Sequence, residues 1–389
     1  MNPVNLRPEF LVFGRPNFGD AEIDAVSRVM RSGWVGMGQE CIAFEQELAH
    51  FLGAKNVVTV SSCTAALHLS MIAHHIGPGD EVIVPSLTWY ATANAALYVG
   101  ATPVLCDVDA NSLSVTPETV LAKLTPRTKA VILVHFGGYV VDVEALRKAL
   151  PDRVVIVEDA AHALGSTLPG GKPVGSSANL SCFSFYANKN LSTGEGGAIA
   201  LSNNSDAERL RSLRQSGLSS DAWKRYIDPQ RAIVPGVTEL GYKMNFTDLQ
   251  ASIGRVQLRR QAEFASTRQR LALRYRERLD GIVDGLSFQA GAFSKAHARH
   301  LLVVLLPIER MRLSRDELVL ALRGRNIGAS IHYRPIHRAP FYTTLASAVP
   351  VTEWLADRIM TLPIGATMSE ADADYVCEHL IHLVDLNRG

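Results

Sequence analysis

Asp159 and Lys189 are the residues whose surroundings most demand a chemical explanation. Asp159 follows the apolar run Val154–Val157 and Glu158, so it falls at the C-terminal edge of a buried strand, where the ligands of open α/β sheets collect. Lys189 follows the apolar stretch Leu180–Phe185 and precedes Gly194-Glu195-Gly196-Gly197, so it sits in a tight turn between buried segments. A merely solvated lysine needs no such setting. A lysine amine can form a Schiff base with an aldehyde, and a carboxylate can keep a pyridine nitrogen protonated so that the ring withdraws electrons from a carbanion. The two residues together therefore point to pyridoxal 5'-phosphate (PLP), with Lys189 and Asp159 as the catalytic pair.

A cofactor phosphate needs convergent backbone amides, which a helix start supplies through its unpaired N–H groups and positive dipole end. Val57–Val60 reads as a strand, and Ser61-Ser62-Cys63-Thr64-Ala65 then enters a helix, which makes Cys63 and Thr64 the candidates for that contact. Ser184, on the segment leading to Lys189, could reach the same phosphate. Trp89 falls just past the apolar strand Val82–Val84, where a large π-face can stack on a flat ring. Each of these residues also has an ordinary role open to it: an N-cap, a strand serine bonded to backbone, a core aromatic.

The elements that must position these groups alternate along the chain. Residues 1–19 lack periodicity and read as an arm, and a helix is predicted from Asp20 with Ile23, Val26, Val29 and Met30 on its inner face. Strands over Val57–Val60, Glu81–Pro85, Thr102–Asp107, Lys129–His135 and Val154–Glu158 are separated by helical patterns. That order predicts an α/β fold with a mostly parallel, doubly wound sheet in a large domain, residues 20–250. A strand over Ala198–Leu201 and a helix over Asp206–Arg214 follow. Ser219–Gly236 is a polar loop that contains Lys224, Arg225 and Arg231, cations suited to a substrate diphosphate. From Asp248 to Leu279 one long helix is expected, leading into a smaller C-terminal α/β domain within residues 251–389.

With 389 residues, 47% of them apolar, the chain can bury a large core. Its net charge of +1 gives no electrostatic footing for nucleic acid, and no apolar stretch is long enough to span a bilayer, so a cytoplasmic protein is expected. Five cysteines, an odd count without metal-ligand spacing, suit reduced and buried thiols.

At this point the chain resembles the DegT/StrS-type PLP-dependent nucleotide-sugar aminotransferases, enzymes of fold type I. The resemblance rests on Ser32-Gly33-Trp34 with the following Gly-x-Gly, Ser62-x-Thr64-Ala65-Ala66-Leu67-His68, Gly79–Ser86, Glu158–His162, the Lys189 block, and Gly241–Phe246 with Asp248–Ala251, all in family order. It implies that Lys189 carries the Schiff base and acts as general acid/base, that Asp159 pairs with the pyridinium, and that His162, where relatives often carry Gln, neighbours the phenolic oxygen. It further implies that Trp89 and Ala161 sandwich the ring. Cys63, Thr64 and Ser184 would hold the phosphate, joined by Asn245 of a second subunit, so a homodimer with shared sites is expected. Thr193-Gly194-Glu195-Gly196-Gly197 resembles the text of enzymes that aminate C4 of 4-keto sugars, and Ile331–Arg334 and Thr352–Trp354 resemble the makers of UDP-4-amino-4-deoxy-L-arabinose. The implied reaction moves an amino group from L-glutamate to a UDP- or dTDP-4-keto sugar. Lys224, Arg225 and Arg231 would hold the pyrophosphate, and Trp34, His332 and Tyr333 would border the sugar. A C3-directed sugar aminotransferase, a keto-cyclitol aminotransferase and a non-catalytic PLP-binding homologue are the alternatives. The last would have lost Lys189 or Asp159, and a dehydratase relative would carry His in place of the lysine.

Overall fold

A computed structural model of the chain describes residues 6–219, 236–345 and 347–389. Its main sheet has seven strands, β1 Asn56–Val60, β2 Glu81–Pro85, β3 Thr102–Cys106, β4 Thr128–Val134, β5 Val155–Asp159, β6 Leu180–Ser184 and β7 Gly197–Leu201, in the spatial order β1-β7-β6-β5-β4-β2-β3. Strands β2 to β6 run parallel to their neighbours among themselves, and β7 is antiparallel to both β1 and β6. This is the expected mostly parallel α/β sheet. Its strands read as apolar runs because both faces are covered: every residue of β2, and every residue of β4 except Lys129, is buried.

On one face, α3 (Cys63–Ala73) and α4 (Tyr90–Tyr98) bury Ala66, Leu69, Ala93 and Ala96 against Val84, Ile132 and Val157. On the other, α2 (Gln39–Leu52) sets Phe44 and Leu48 against Phe183 and Ala200, while α5 (Pro117–Leu121) and α6 (Val143–Ala149) cover Val131 and Ile156. Strand alternation thus separates Ile156 from Val157, and by the same alternation Glu158 from Asp159.

A second sheet of three antiparallel strands, β8 Ser287–Phe288, β9 Leu302–Leu305 and β10 Ile359–Leu362, has its own core. Leu271 and Tyr275 enter that core, as do Leu318, Leu322 and Leu380. The arm joins it too, since Leu11 is buried and bridges to Ile327, and Arg7 pairs with Asp372 at 2.8 Å. Leu87, Val134 and Phe136 of the first sheet region pack against Leu301 and Val303, which makes the seam between the two sheets apolar.

Two expectations about helices are corrected. On α1 (Asp20–Ser32) the buried positions are Glu22, Ala25 and Val29, and Ile23 and Met30 face outward. The reason is the partner helix α8 (Asp248–Arg259) and the residue that ends it: Gln257 and Arg260 donate to Glu22 at 2.8 and 3.0 Å, which turns a polar residue inward. The expected long helix is also two helices, α8 and α9 (Gln261–Leu279), that meet at Arg260, where the backbone leaves helical geometry (φ −91, ψ 2). The remaining α-helices among the described residues are α7 (Asn204–Leu213), α10 (Arg315–Arg323), α11 (Pro350–Ala356) and α12 (Glu370–Leu386). Among the described residues, no helix is long and apolar enough to cross a membrane. All five cysteines are free and buried.

Candidate active site

The parallel strands β2, β4, β5 and β6 end on one edge of the sheet, and the segments that leave those ends enclose a cavity of about 530 Å³. Its wall carries Cys63, Thr64, Trp89, Asp159, Ala161, His162, Ser184 and Lys189, together with His332 and Tyr333 from near the second sheet. Residues from across the chain therefore meet in one place.

Asp159 is the last residue of β5 and is buried. Its carboxylate accepts from Thr92 Oγ1 at 2.9 Å and from the Ala161 amide at 3.2 Å, and among the described residues it forms no salt bridge. Burial pushes its carboxyl above the usual carboxylate range, although Thr92 and Ala161 work against that. Its neighbour Glu158 provides the contrast. Glu158 is buried too, but His135 at 3.1 Å, Ser177 and Asn179 saturate it, and these partners outweigh burial and hold its carboxyl below the usual range. Glu158 is a finished structural element, while Asp159 is a buried carboxyl that no cationic side chain contacts among the described residues.

Lys189 has its Nζ 3.3 Å from His300 Nε2. Burial pushes the amine down to about 8, against the opposing influence of Cys63 and Asp159. The group can therefore exist as a neutral nucleophile near neutrality.

A third feature is the start of α3. Ser62 caps it by accepting from the Ala65 amide at 3.1 Å, while the amides of Cys63 and Thr64 have no acceptor among the described residues. The Cys63 thiol turns away from this cup toward Asp159 and the Cys182 carbonyl, 4.0 and 3.5 Å distant, so its amide is the part free to bind an anion. Gly197 makes the close approach of β7 possible. A Cβ there would lie 2.6 Å from the Ser62 carbonyl carbon and 2.7 Å from the Cys63 nitrogen. Gly197→Ala is accordingly expected to cost about 1–3 kcal/mol by overpacking, read as a lower thermal midpoint, and to weaken inorganic phosphate binding.

Around these three features stand aromatic and imidazole groups. Trp89, at the N-cap of α4, is 54% exposed and lies 5.5 Å from the Tyr333 ring. The Gly137 amide donates to His162 Nδ1 at 3.2 Å, which leaves the proton of a neutral ring on Nε2, 3.0 Å from the Tyr333 hydroxyl. Burial, then Lys189 and His332, keep His162 uncharged. His332 is bonded to Thr361 Oγ1 at 2.9 Å and is pushed by burial down to about 3. The segment carrying His332 and Tyr333 is tied to the turn before Trp89 by Ile336, whose amide donates to the Ser86 carbonyl, and by Ser86 Oγ, 2.5 Å from His337 Nδ1.

Other expected site residues stand elsewhere. Trp34 is off the cavity wall and donates from Nε1 to the Met37 carbonyl at 3.0 Å. Asn245 is also off this wall, with its amide donating to the Phe246 carbonyl. Lys224, Arg225 and Arg231 lie outside the described residues. Conversely, Thr92, Asn188, Glu195 and His300 escaped sequence reasoning. Thr92, in the first turn of the helix that follows Trp89, carried a local signal, while His300, far along the chain from Lys189, carried none.

A carboxylate lacking a cation, a buried amine of low pKa and an open helix N-terminus around one cavity fit PLP in its ring nitrogen, aldehyde and phosphate respectively. Comparison with known proteins agrees. The chain matches the sequence model of the DegT/DnrJ/EryC1/StrS aminotransferase family over residues 16–381. It is similar to Spr1654 from Streptococcus pneumoniae, assigned as a sugar aminotransferase. Its PMP-form superposes with a TM-score of 0.89 at 29% identity, covering 96% of this chain and 99% of that one. The PLP-form of the same protein gives 0.87 at 28%, covering 97% and 99%. The aminotransferase TlmJ from Streptoalloteichus hindustanus gives 0.87 at 34%, covering 97% and 99%. DesV from S. venezuelae gives 0.84 at 33%, covering 94% of each chain.

Proposed function

Because the chain belongs to the DegT/DnrJ/EryC1/StrS aminotransferase family, we propose that it transfers an amino group from L-glutamate to C4 of a UDP- or dTDP-linked 4-keto sugar. At the coarser level it is a PLP-dependent aminotransferase related to sugar aminotransferases. The observation that carries the reading is the convergence of Asp159, Lys189 and the α3 amides on one cavity.

When bound, PLP supplies the electron sink that stabilises negative charge at the donor's α-carbon. The chain's own groups do the rest. Lys189 Nζ is the nucleophile that captures the cofactor and the base that takes the proton from the donor's Cα. Asp159, oriented by Thr92 and the Ala161 amide, would hold a positive ring nitrogen. The amides of Cys63 and Thr64, with Ser184, would hold the phosphate. Trp89 and Ala161 would flank the ring, and neutral His162, whose Nε2 is 3.0 Å from the Tyr333 hydroxyl, would neighbour the phenolic oxygen.

Only the neutral amine attacks, so capture of added PLP by the cofactor-free protein should quicken as pH rises to about 8 and then level off. Below that point the rate should fall about tenfold per unit. Borohydride trapping at timed intervals measures it. A rate still climbing at pH 10, as for an ordinary lysine, would contradict the buried amine.

Support for the substrate is the Thr193–Gly197 text after Lys189, His332 and Tyr333 on the cavity wall, and the basic residues Lys224, Arg225 and Arg231 for two phosphates. A homodimer is part of the reading, with Asn245 entering the neighbouring site. The stretch before Asn245 exposes Val237 and Leu240, apolar side chains of the kind that subunit contacts cover. Incubation with glutamate and a panel of UDP-, dTDP- and GDP-linked 4-keto and 3-keto sugars, with mass spectrometry and NMR of the products, tests the proposal. A C4 amino sugar is expected. Exclusive turnover of a 3-keto sugar, or of a ketone without a nucleotide, would refute the substrate while leaving the PLP chemistry standing.

A further inference from the structure

His300 stands at the seam of the two sheets, just before β9, and meets Lys189 without itself reaching the cavity wall. It is buried, its ring lies 4.6 Å from that of His162, and its Nδ1 has no partner among the described residues. The backbone around it is pinned from two directions. Asn190 Nδ2 donates to the Ala298 carbonyl at 3.0 Å, and Arg268 Nη1 donates to the Arg299 carbonyl at 3.0 Å. The fold thus holds an imidazole rigidly against the amine.

The protonation of this imidazole follows from its neighbours. Burial comes first, and Lys189, His162, Arg268 and His332 all disfavour a positive ring, so His300 is neutral. Around Lys189 itself stand Asp159 at the end of β5, Cys63 at the start of α3, and His162, His332 and Tyr333. Asp159 favours an ammonium by charge, while burial keeps the Cys63 thiol neutral, and neither is at hydrogen-bond distance from Nζ. Among the described residues, His300 Nε2 is the one acceptor at that range.

We propose that His300 is a positioning residue for Lys189: its neutral Nε2 accepts a hydrogen bond from the ammonium and parks the side chain whenever the amine is not bonded to the cofactor. The proposal rests on the reading of Lys189 as the working amine. A carboxylate at this place would make a buried ion pair and keep the amine charged. An apolar residue would leave a buried ammonium without an acceptor. Imidazole lies between, supporting the charged form enough to hold the chain in place while leaving deprotonation within reach near neutral pH.

Competitive acylation of the full-length, cofactor-free protein with acetic anhydride, read peptide by peptide across pH, reports the titration of Lys189. The wild-type midpoint is expected near 8. His300→Phe keeps a ring against His162 but offers no acceptor, and its midpoint is expected about one unit lower. His300→Gln, with an amide oxygen, should recover part of that shift, which a purely structural role would not produce. An unchanged midpoint in folded His300→Phe overturns the proposal and leaves the Lys189 reading intact. A wild-type midpoint near that of a free lysine overturns both. Should the phenylalanine variant not fold, the same question is put to His300 by imidazole ¹⁵N NMR of wild type and Lys189→Ala. A shifted Nε2 resonance supports the contact, and an identical spectrum overturns it.

Discussion

Replacing Lys189 by alanine is expected to lower turnover by at least ~10,000-fold, since one amine serves both as nucleophile and as acid/base. The variant should still hold PLP without a covalent bond, because the α3 amides and Asp159 remain. Its cofactor-free thermal midpoint should equal or exceed that of the wild type, since a buried amine costs desolvation that alanine does not. Borohydride reduction followed by peptide mapping gives the complementary result: the wild type carries the cofactor on Lys189 and the variant carries none. A label on another lysine, or activity within tenfold of wild type in the variant, would remove Lys189 from the centre of the site.

The second large effect concerns Asp159. Asparagine preserves the volume, keeps an oxygen for the Ala161 amide and can donate from its nitrogen to Thr92 Oγ1, whose hydroxyl then turns toward Thr88, so Asp159→Asn removes the charge at little cost in geometry. Turnover is expected to fall about 100- to 1,000-fold, the usual consequence of losing one preorganised electrostatic group, with the cofactor still bound. Stability should respond in the opposite direction. Burial raises the folded-state pKa of Asp159, so without a cation its ionisation opposes folding. That penalty is absent at acid pH, grows as pH rises past the unfolded carboxylate's ordinary value, and levels off once pH passes the raised folded-state value. The cofactor-free variant should thus melt higher than cofactor-free wild type at neutral pH, with the gap closing on acidification. PLP should raise the midpoint of the wild type more than that of the variant. Near-normal turnover, or a gap that does not depend on pH, would show that Asp159 does not serve as a charge partner.

Much of this was legible in the chain itself, for local reasons. Apolar runs such as Val82–Val84 and Val154–Val157 declare buried strands without knowledge of what covers them, and Asp159 and Lys189 announce themselves by following such runs. Ser62 ahead of Cys63 and Thr64 declares a helix start, because capping is settled within one turn. The register of β5 follows from alternation, and with it the placing of Glu158 and Asp159 on opposite faces.

Where local sequence was an inadequate guide, a distant partner decided the outcome. The inner face of α1 was misread because hydrophobicity favoured Ile23 and Met30, while Gln257 and Arg260 reward Glu22. The break at Arg260 has no proline or glycine to announce it. Composition, periodicity and motif spacing by themselves determined the α/β class and placed the strands to within a residue at each end, β5 reaching Asp159 rather than stopping at Glu158, and they singled out Asp159 and Lys189, which the fold brings to one cavity. Only the tertiary structure decided which carboxylate is satisfied and which is left for a cation, which tautomer His162 adopts, and that His300 meets Lys189. Those properties depend on desolvation and on hydrogen bonds between residues far apart in the chain, which only the folded chain brings together: the first two within the seven-stranded sheet, the last across the seam of the two sheets.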